Sequence, residues 1–312
     1  MLTTAPAATD GDAPDTAEIL RAVRRVQLRT RKAVTDMVAG GFRSVFRGSG
    51  MEFEEVREYV PGDDVRAIDW NVTARTGRPY IKKFVEEREQ TIMLAVDVSA
   101  STRLGSGARS VRQAAAELAA ILAFSAVGSG DRVGFLGFSD RVELELPPRG
   151  GNRQAFRIIR EALYRRADDA GTSLTLACEH LARVLKRHAY VFLLSDFLDV
   201  LDERLERSLG LLARRHDVVA LRLVDRLHRE LPNVGLLPRR DPETGIVRLV
   251  DTGSTRVRRH VALAAERREQ ELSDLLRRHG VDRVDIALGD GQADSPIDPL
   301  VAYLHQRERR QR

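Results

Sequence analysis

The chain has 312 residues, of which 43% are hydrophobic and 31% charged, a composition typical of a globular protein with one large domain or two modest ones. No apolar run approaches the ~20 residues that a membrane-spanning helix needs. The N-terminal residues carry acids and lack the basic flank and apolar centre of a secretory signal, so residues 1–15 are predicted to be a disordered tail. The single cysteine, Cys178, excludes an internal disulfide framework and favours a cytoplasmic protein without membrane insertion.

The net charge of +5 raises the question of nucleic-acid binding. Only four of the 51 basic residues are lysine, and this skew towards arginine is typical of genome base composition rather than of selection for phosphate contacts. Basic and acidic residues also alternate along the chain, which indicates solvated helix faces. We therefore expect no nucleic-acid partner, and an arginine-rich nucleic-acid-binding protein is kept as an alternative.

Residues 16–90 are predicted to form a helix followed by a small β-rich segment. Apolar residues recur at helical spacing from Thr16 to about Val38, and Gly40 and Gly41 are expected to end that helix. Short extended pieces punctuated by Gly and Pro follow, and they contain Trp70. Opposite charges are dense here and are expected either to form an ion-pair network or to offer a second contact surface: Arg57, Asp63, Asp64, Arg66 and Asp69.

Strands and helices alternate from residue 91 to residue 290, which predicts an α/β domain with a doubly wound, mostly parallel sheet. Only Ser139 and Asp140 separate two of the strands, and two residues cannot make a parallel crossover, so this pair is predicted to be one antiparallel edge hairpin. A weaker hairpin-like section and a long helix precede the last strand. Residues 291–312 are predicted to be a polar C-terminal tail. The predicted strands cover residues 91–97, 132–138, 141–147, 189–196, 217–225 and 281–288.

Oxygen-bearing side chains follow two of the buried strands. The stretch LAVDVSAS ends its strand at Asp97 and then places Ser99 and Ser101, Thr172 lies in a loop before a helix, and Asp196 ends a second strand. Loops at the carboxyl ends of parallel strands converge, so these five side chains are expected to meet. Such hard oxygen ligands suit Mg²⁺, with Mn²⁺ as a substitute. Alternatively, the hydroxyls cap helices and Asp97 closes a turn.

The pattern resembles a known family. DVSAS, with Thr172 and Asp196, is similar to the metal-ion-dependent adhesion site of von Willebrand factor A domains. The preceding run from GSGMEFEEVREYVPGDD to IDWNVTARTGRPYIKKFVEERE resembles the signature of the domain-of-unknown-function-58 proteins, over roughly residues 40–250. Thr102 departs from that pattern, because relatives usually carry Met there. The resemblance implies a von Willebrand factor A-like fold and a non-enzymatic adaptor or co-chaperone for a MoxR-type AAA+ ATPase and its client protein.

An enzyme is the alternative from another class. A Mg²⁺-dependent phosphotransferase with Asp97 as nucleophile normally needs a second acid two residues later, where this chain has Ser99, and a lysine near the phosphoryl group. Lys186 is the single lysine between residues 91 and 250, and it lies late in a predicted helix. The chain also lacks a nucleophile elbow after a strand and a P-loop. We therefore expect no catalytic activity, and any ATPase activity must come from a partner.

Overall fold

The structure is a computed structural model, and it describes residues 16–39, 52–85, 89–103, 110–165, 167, 171–240, 247–288 and 297–311. The predicted N-terminal tail, residues 1–15, lies outside these ranges. The first helix, α1 (Thr16–Ala39), has the predicted extent. Its Val23 and Val26 pack against Ala120 and Ile159 of the main domain. The helix is therefore part of the main body of the protein and not only of an N-terminal segment.

The β-rich segment is a small antiparallel hairpin with a short helix inside it. Strand β1 (Glu52–Glu58) pairs with β2 (Tyr80–Val85), and α2 (Trp70–Thr76) lies between them in the chain. Trp70, at the first position of α2, is 70% exposed. The tryptophan therefore presents its ring to solvent instead of anchoring the segment in a core.

The charges singled out in this segment take part in ion pairing and in helix capping. Arg57 forms a bidentate pair with Asp63, with N–O distances of 2.9 and 2.7 Å. Asp64 accepts a hydrogen bond from the backbone N–H of Arg66, and Asp69 caps α2. Capping oxygens satisfy backbone groups that a helix start leaves open. Of the two alternatives that the sequence left open, an ion-pair network is present only in part, because two of these acids cap helices, and a second contact surface stays a prediction.

The central domain is the predicted mixed α/β fold with a mostly parallel sheet and an antiparallel edge pair. Six strands lie in the order β10–β7–β6–β3–β4–β5, and only β4 and β5 pair antiparallel. The strands, including the separate hairpin β8–β9, are β3 (Thr91–Asp97), β4 (Arg132–Phe138), β5 (Val142–Arg149), β6 (Tyr190–Ser195), β7 (Asp217–Asp225), β8 (Leu236–Arg240), β9 (Val247–Asp251) and β10 (Asp282–Leu288). The helices are α3 (Val111–Gly128), α4 (Asn152–Tyr164), α5 (Leu174–Val184), α6 (Glu203–Ala213), α7 (Arg226–Arg229), α8 (Thr255–Arg278) and α9 (Asp298–Gln311).

Side chains of the central strands alternate between two hydrophobic cores. In β3, Leu94 and Val96 face the core that contains α3 and α4. Met93 and Ala95 face the second core, which contains α5, α6 and α8. Because β3 lies in the middle of the sheet, both of its faces are covered, as a continuous apolar strand requires. Asp97 continues the alternation and therefore ends β3 on the side of the second core.

Helix α3 is apolar on nearly all sides because other elements surround it. Among the described residues it is the one helix long and apolar enough to cross a membrane, and 78% of it is buried inside the protein. Its N-terminus is fixed by a capping box, in which Ser110 and Gln113 satisfy each other's backbone N–H groups.

The C-terminal residues differ from the polar tail that the sequence predicts. Residues 298–311 form α9, and its Leu300 and Leu304 are buried in the core that contains α3. These two leucines are four residues apart, which places them on one face of a helix. The sequence does not reveal this apolar face of the helix, because only these two fully buried side chains define it within a strongly charged segment.

Arg307 fixes α9 to the amino edge of the sheet. Its guanidinium donates to Asp217 at 2.8 Å, to Asp282 at 3.3 Å and to the hydroxyl of Tyr303 at 2.9 Å. Arg307 also lies 5.6 Å from the centre of the Tyr190 ring. A guanidinium can serve several planar partners at once because its donors form a rigid fork.

We expect Leu300→Ala to lower the free energy of unfolding by about 2–5 kcal/mol, because the substitution removes a fully buried side chain and leaves a cavity. The exposed residue His305 on the same helix is the control, and His305→Ala should change stability by less than about 0.5 kcal/mol. Urea denaturation of both variants measures the difference. Equal, small effects of the two substitutions would mean that α9 does not pack as a helix against the sheet.

Candidate functional site

The carboxylate of Asp97 is the centre of a hydrogen-bonded cluster at the carboxyl edge of the sheet. Asp97 is 1% exposed. Its Oδ1 accepts a hydrogen bond from the backbone N–H of Ser99 at 2.9 Å. Its Oδ2 accepts from the hydroxyl of Ser195 at 3.0 Å and from that of Thr172 at 3.3 Å. Three separate chain segments therefore meet at one buried carboxylate.

The two serines of DVSAS point their hydroxyls at each other. Ser99 Oγ and Ser101 Oγ are 2.9 Å apart, in the turn that follows β3. Thr102 donates its hydroxyl to the carbonyl of Ser99 at 2.7 Å, and Arg112 of α3 donates to the carbonyl of Val98 at 2.7 Å. The turn is thus held by side chains on both sides. Thr102, the position at which the chain departs from the family pattern, stabilises the turn.

Asp196 is held by an unusual turn after β6. Its Oδ1 accepts from the backbone N–H of Leu198 at 3.0 Å, and the residue is buried. Phe197, between them, has a φ of 56°, a left-handed conformation that bulky side chains rarely adopt. The Phe197 side chain is buried in the second core, and its N–H donates to Ser195 Oγ at 3.1 Å. Packing therefore maintains a strained backbone at the site.

The two carboxylates of the site affect each other electrostatically. Burial, and then the charge of Asp196, raise the pKa of Asp97 to about 6, although the hydrogen bonds from Ser99 and Ser195 act in the opposite direction. Burial disfavours an isolated negative charge, and a second carboxylate adds repulsion. A cation bound between them would remove both penalties. The electrostatics therefore favour a positively charged ligand.

Asp199 connects this edge to two helices. Its Oδ2 accepts from the backbone N–H of Leu174 at 2.7 Å, at the start of α5, and its backbone carbonyl accepts from Arg268 of α8. The loop that contains Asp196 is therefore tied to α5 on one side and to α8 on the other. Sequence analysis did not single out Asp199, because an aspartate in a loop has no distinctive spacing.

The five predicted residues occupy one edge of the sheet. Hydrogen bonds join Asp97, Ser99 and Thr172 directly or through the Ser99 backbone, and Ser101 contacts Ser99. Asp196 is near enough to act on the charge of Asp97.

Sequence analysis missed Ser195 and Arg112. Ser195 could have been found from strand periodicity, since it lies two residues after Leu193, which faces the second core. Arg112 could not have been found in this way, because its contact depends on how α3 lies across the turn.

The donor set fits a hard cation. It consists of carboxylate and hydroxyl oxygens, which Mg²⁺ and Mn²⁺ accept as ligands. Within the described ranges, no group of three or more His, Cys, Asp and Glu side chains could hold a metal. A metal at this edge would therefore depend on the hydroxyls of Ser99, Ser101 and Thr172 as well as on the two carboxylates.

The raised pKa of Asp97 predicts a pH dependence in the absence of metal. Between about pH 4 and pH 6 the folded protein keeps a proton that the unfolded chain has lost, so stability falls as the pH rises through this window. Across this window the free energy of unfolding should fall by about 3 kcal/mol, as follows from the difference between the pKa of Asp97 in the folded and in the unfolded chain. Asp97→Asn lacks this group and should not show the fall. Urea unfolding of both proteins in EDTA measures the difference, and parallel pH profiles would contradict a raised pKa.

Comparison with known proteins identifies relatives of this chain. Residues 55–271 match the family described as protein of unknown function DUF58. An uncharacterized protein of Mycobacterium bovis and one of Mycobacterium tuberculosis are each 33% identical to this chain over 245 residues, which is 78% of this chain and 76% of theirs.

Solved structures with similar folds include two proteins of low sequence identity. The conserved hypothetical protein BatB from Bacteroides thetaiotaomicron is 16% identical, with a TM-score of 0.44, over 71% of this chain and 98% of that one. A von Willebrand factor type A protein from Catenulispora acidiphila is 11% identical, with a TM-score of 0.36, over 74% of this chain and 44% of that one. By the extent of the family match and the identity to the mycobacterial proteins, the chain belongs to the DUF58 family.

Proposed function

We propose that this protein is a non-enzymatic adaptor that binds a partner protein through a Mg²⁺-dependent adhesion site. Asp97, Ser99, Ser101, Thr172 and Asp196 would hold the ion, directly or through water. Bound Mg²⁺ would supply a Lewis-acid contact for a carboxylate of the partner. The hydrogen bonds of the cluster fix the turns, and burial keeps Asp97 away from bulk solvent.

The observation that carries this proposal is the convergence of hydroxyls on a buried carboxylate beside a second acid. Ser195 and Thr172 donate to the same oxygen of Asp97, and Ser99 and Ser101 are in contact with each other. Helix capping explains Ser173, which accepts from the N–H of Leu176, but it does not explain the Ser99–Ser101 contact. A cation site accounts for all of these groups together.

A MoxR-type AAA+ ATPase is the proposed partner, with a client protein as a further binding partner. This part of the proposal depends on the family resemblance of the sequence. It agrees with the residues at the edge. A phosphotransferase with Asp97 as nucleophile would need a second acid two residues later, and this chain has Ser99 at that position. A chain that cannot itself use a nucleotide through a P-loop needs a partner to couple its binding to ATP hydrolysis.

Magnesium should stabilise the wild-type protein. At ten times its dissociation constant, Mg²⁺ should raise the free energy of unfolding by about 1.4 kcal/mol. Asp196→Asn should lose this gain, and its stability in EDTA should be equal to or slightly above that of wild type, because the substitution removes repulsion between carboxylates. Melting curves in EDTA, Mg²⁺ and Mn²⁺ provide the measurement.

The matched control is Asp140→Asn, which makes the same substitution at an exposed position in the β4–β5 turn. It should melt like the wild type under all conditions and keep the Mg²⁺ response. A wild-type protein that shows no response to millimolar Mg²⁺ or Mn²⁺ would overturn the metal site.

Partner binding should depend on the metal. In a pull-down, the wild-type protein should retain a MoxR-type ATPase in Mg²⁺ and lose it in EDTA. Asp196→Asn should lose the ATPase even in Mg²⁺, since the partner carboxylate would have no metal ion to bind. Asp140→Asn should retain the ATPase. Normal retention by the Asp196 variant would exclude the adhesion mechanism, and Mg²⁺-dependent phosphate release by the purified protein that disappears in Asp97→Asn would favour the phosphotransferase.

A further inference from the structure

Residues 226–268 are one of the basic regions of the chain. This stretch contains ten arginines, no lysine and five acidic residues, so its net charge equals the +5 of the whole chain. The remainder of the chain is therefore electrically balanced. Residues 21–32 form a second basic stretch, with six basic residues and no acid. We call the stretch the basic arm; its described parts are α7, strands β8 and β9 and α8 as far as Arg268.

The basic arm extends beyond the carboxyl edge of the sheet. Helix α8 has 24 residues, about 36 Å in length, whereas a seven-residue strand spans about 23 Å. Its buried residues are confined to its last turns, at Leu272, Leu275 and Leu276. Arg268 already reaches the carbonyl of Asp199 in the loop after β6. The part of α8 that precedes Arg268 therefore lies past the edge that carries Asp97.

Hydrogen bonds attach the hairpin of the arm to α8. Arg258 donates to the carbonyls of Thr252 at 2.5 Å and Gly253 at 2.9 Å. The buried hydroxyl of Thr252 donates in turn to the carbonyl of Gly235 at 2.6 Å. These bonds join the end of β9, the residue before β8 and the first turn of α8. These bonds fix the first turn of α8 against the described ends of the hairpin.

A cluster of charged side chains at the base of the arm contains more arginine than acid. Arg283 makes the short contacts, at 2.6 Å to Asp285 and 2.9 Å to Glu269. Arg222 and Arg229 share the same two acids at distances of 3.4–4.0 Å. Arg222 is buried, and its Nε and Nη1 have no hydrogen-bond partner. Three guanidinium groups therefore share two carboxylates, and another anion would complete the set.

This cluster lies on the same face of the sheet as the candidate metal site. Arg222 pairs in register with Ser195 on the neighbouring strand, and Ser195 donates to Asp97 on the strand beyond. At about 4.8 Å per strand, the backbones of Arg222 and Asp97 are about 10 Å apart. An extended chain of three residues spans that distance. One acidic segment could therefore reach both positions.

The surface of the arm suits a protein more than a nucleic acid. Residues 226–268 contain no Phe, Tyr or Trp on which bases could stack. On the hairpin, Leu236 and Leu249 lie on one face and are 68% and 70% exposed. Exposed apolar side chains among arginines are typical of protein-binding surfaces.

We propose that the basic arm binds an acidic segment of a partner protein, and that the Arg222–Arg229–Arg283 cluster takes one of its carboxylates. The inference rests on the proposed function, because the same segment would give a second carboxylate to the Asp97 site. Long-range attraction by the arm accelerates the encounter, and the metal site then fixes the position of the partner.

A fluorescein-labelled deca-glutamate peptide tests this inference by anisotropy at several salt concentrations. The arm variant combines Arg256→Gln, Arg259→Gln and Arg267→Gln, three exposed residues on α8. We expect it to bind the peptide about tenfold more weakly than wild type and with a smaller salt dependence. The matched control neutralises three exposed arginines outside the arm and should bind like wild type: Arg153→Gln, Arg157→Gln and Arg187→Gln.

Two further measurements distinguish a failure of this inference from a failure of the proposed function. Arg229→Gln, at a half-exposed member of the cluster, should weaken peptide binding while leaving the melting temperature close to that of wild type. If Mg²⁺ and Asp196→Asn do not change peptide binding while the arm variant still weakens it, the proposed function fails and the arm remains an acid-binding surface. Equal binding by the arm variant and its control overturns the inference. Tighter, arm-dependent binding of a labelled single-stranded ten-nucleotide DNA would also overturn it.

Discussion

The buried carboxylate of Asp97 is the constraint on which the functional edge depends. It ends the central strand, where both faces of the sheet are covered, and it accepts hydrogen bonds from the turn after β3, the end of β6 and the loop before α5. Three connections that are distant in the chain are therefore fixed to one group. A carboxylate here costs free energy, since burial and Asp196 both disfavour its charge. A buried carboxylate whose pKa is raised in this way is typical of functional sites.

The neighbouring backbone is held in place by interactions with the helices around it. Arg112 of α3 binds the carbonyl groups of the turn after β3, and Arg268 of α8 binds the loop after β6. The buried ring of Phe197 keeps its own backbone in a left-handed conformation. Each turn is thus determined by a different helix or core. The positions of the oxygen ligands are consequently a property of the whole α/β domain and not of the short DVSAS motif.

The positions of the strands, the one antiparallel pair and the grouping of the five oxygen-bearing residues at one edge could be predicted because they follow from local pattern. Apolar runs that end in polar residues, and the two-residue turn at Ser139 and Asp140, determine where strands end and how one pair runs. Ser195, Arg112 and the packing of α9 could not be predicted in this way. Their roles depend on contacts between segments far apart in the sequence, such as Arg307 with Asp217.

The basic arm and the residues of the proposed metal site have opposite electrostatic characters, and under the two proposals each would have a separate part in recognition. The site is buried and acidic, so without a cation it would repel the acidic partner that the arm attracts. A cation reverses the local charge and lets one carboxylate enter, while the arm acts at longer range and is weakened by salt. Without a cation, the basic arm would attract an acidic segment while the Asp97 site repelled it. The segment would then bind without a fixed position along the surface. Under the proposed arrangement, the metal would determine where an acidic segment stops, and the arm would determine how fast it arrives.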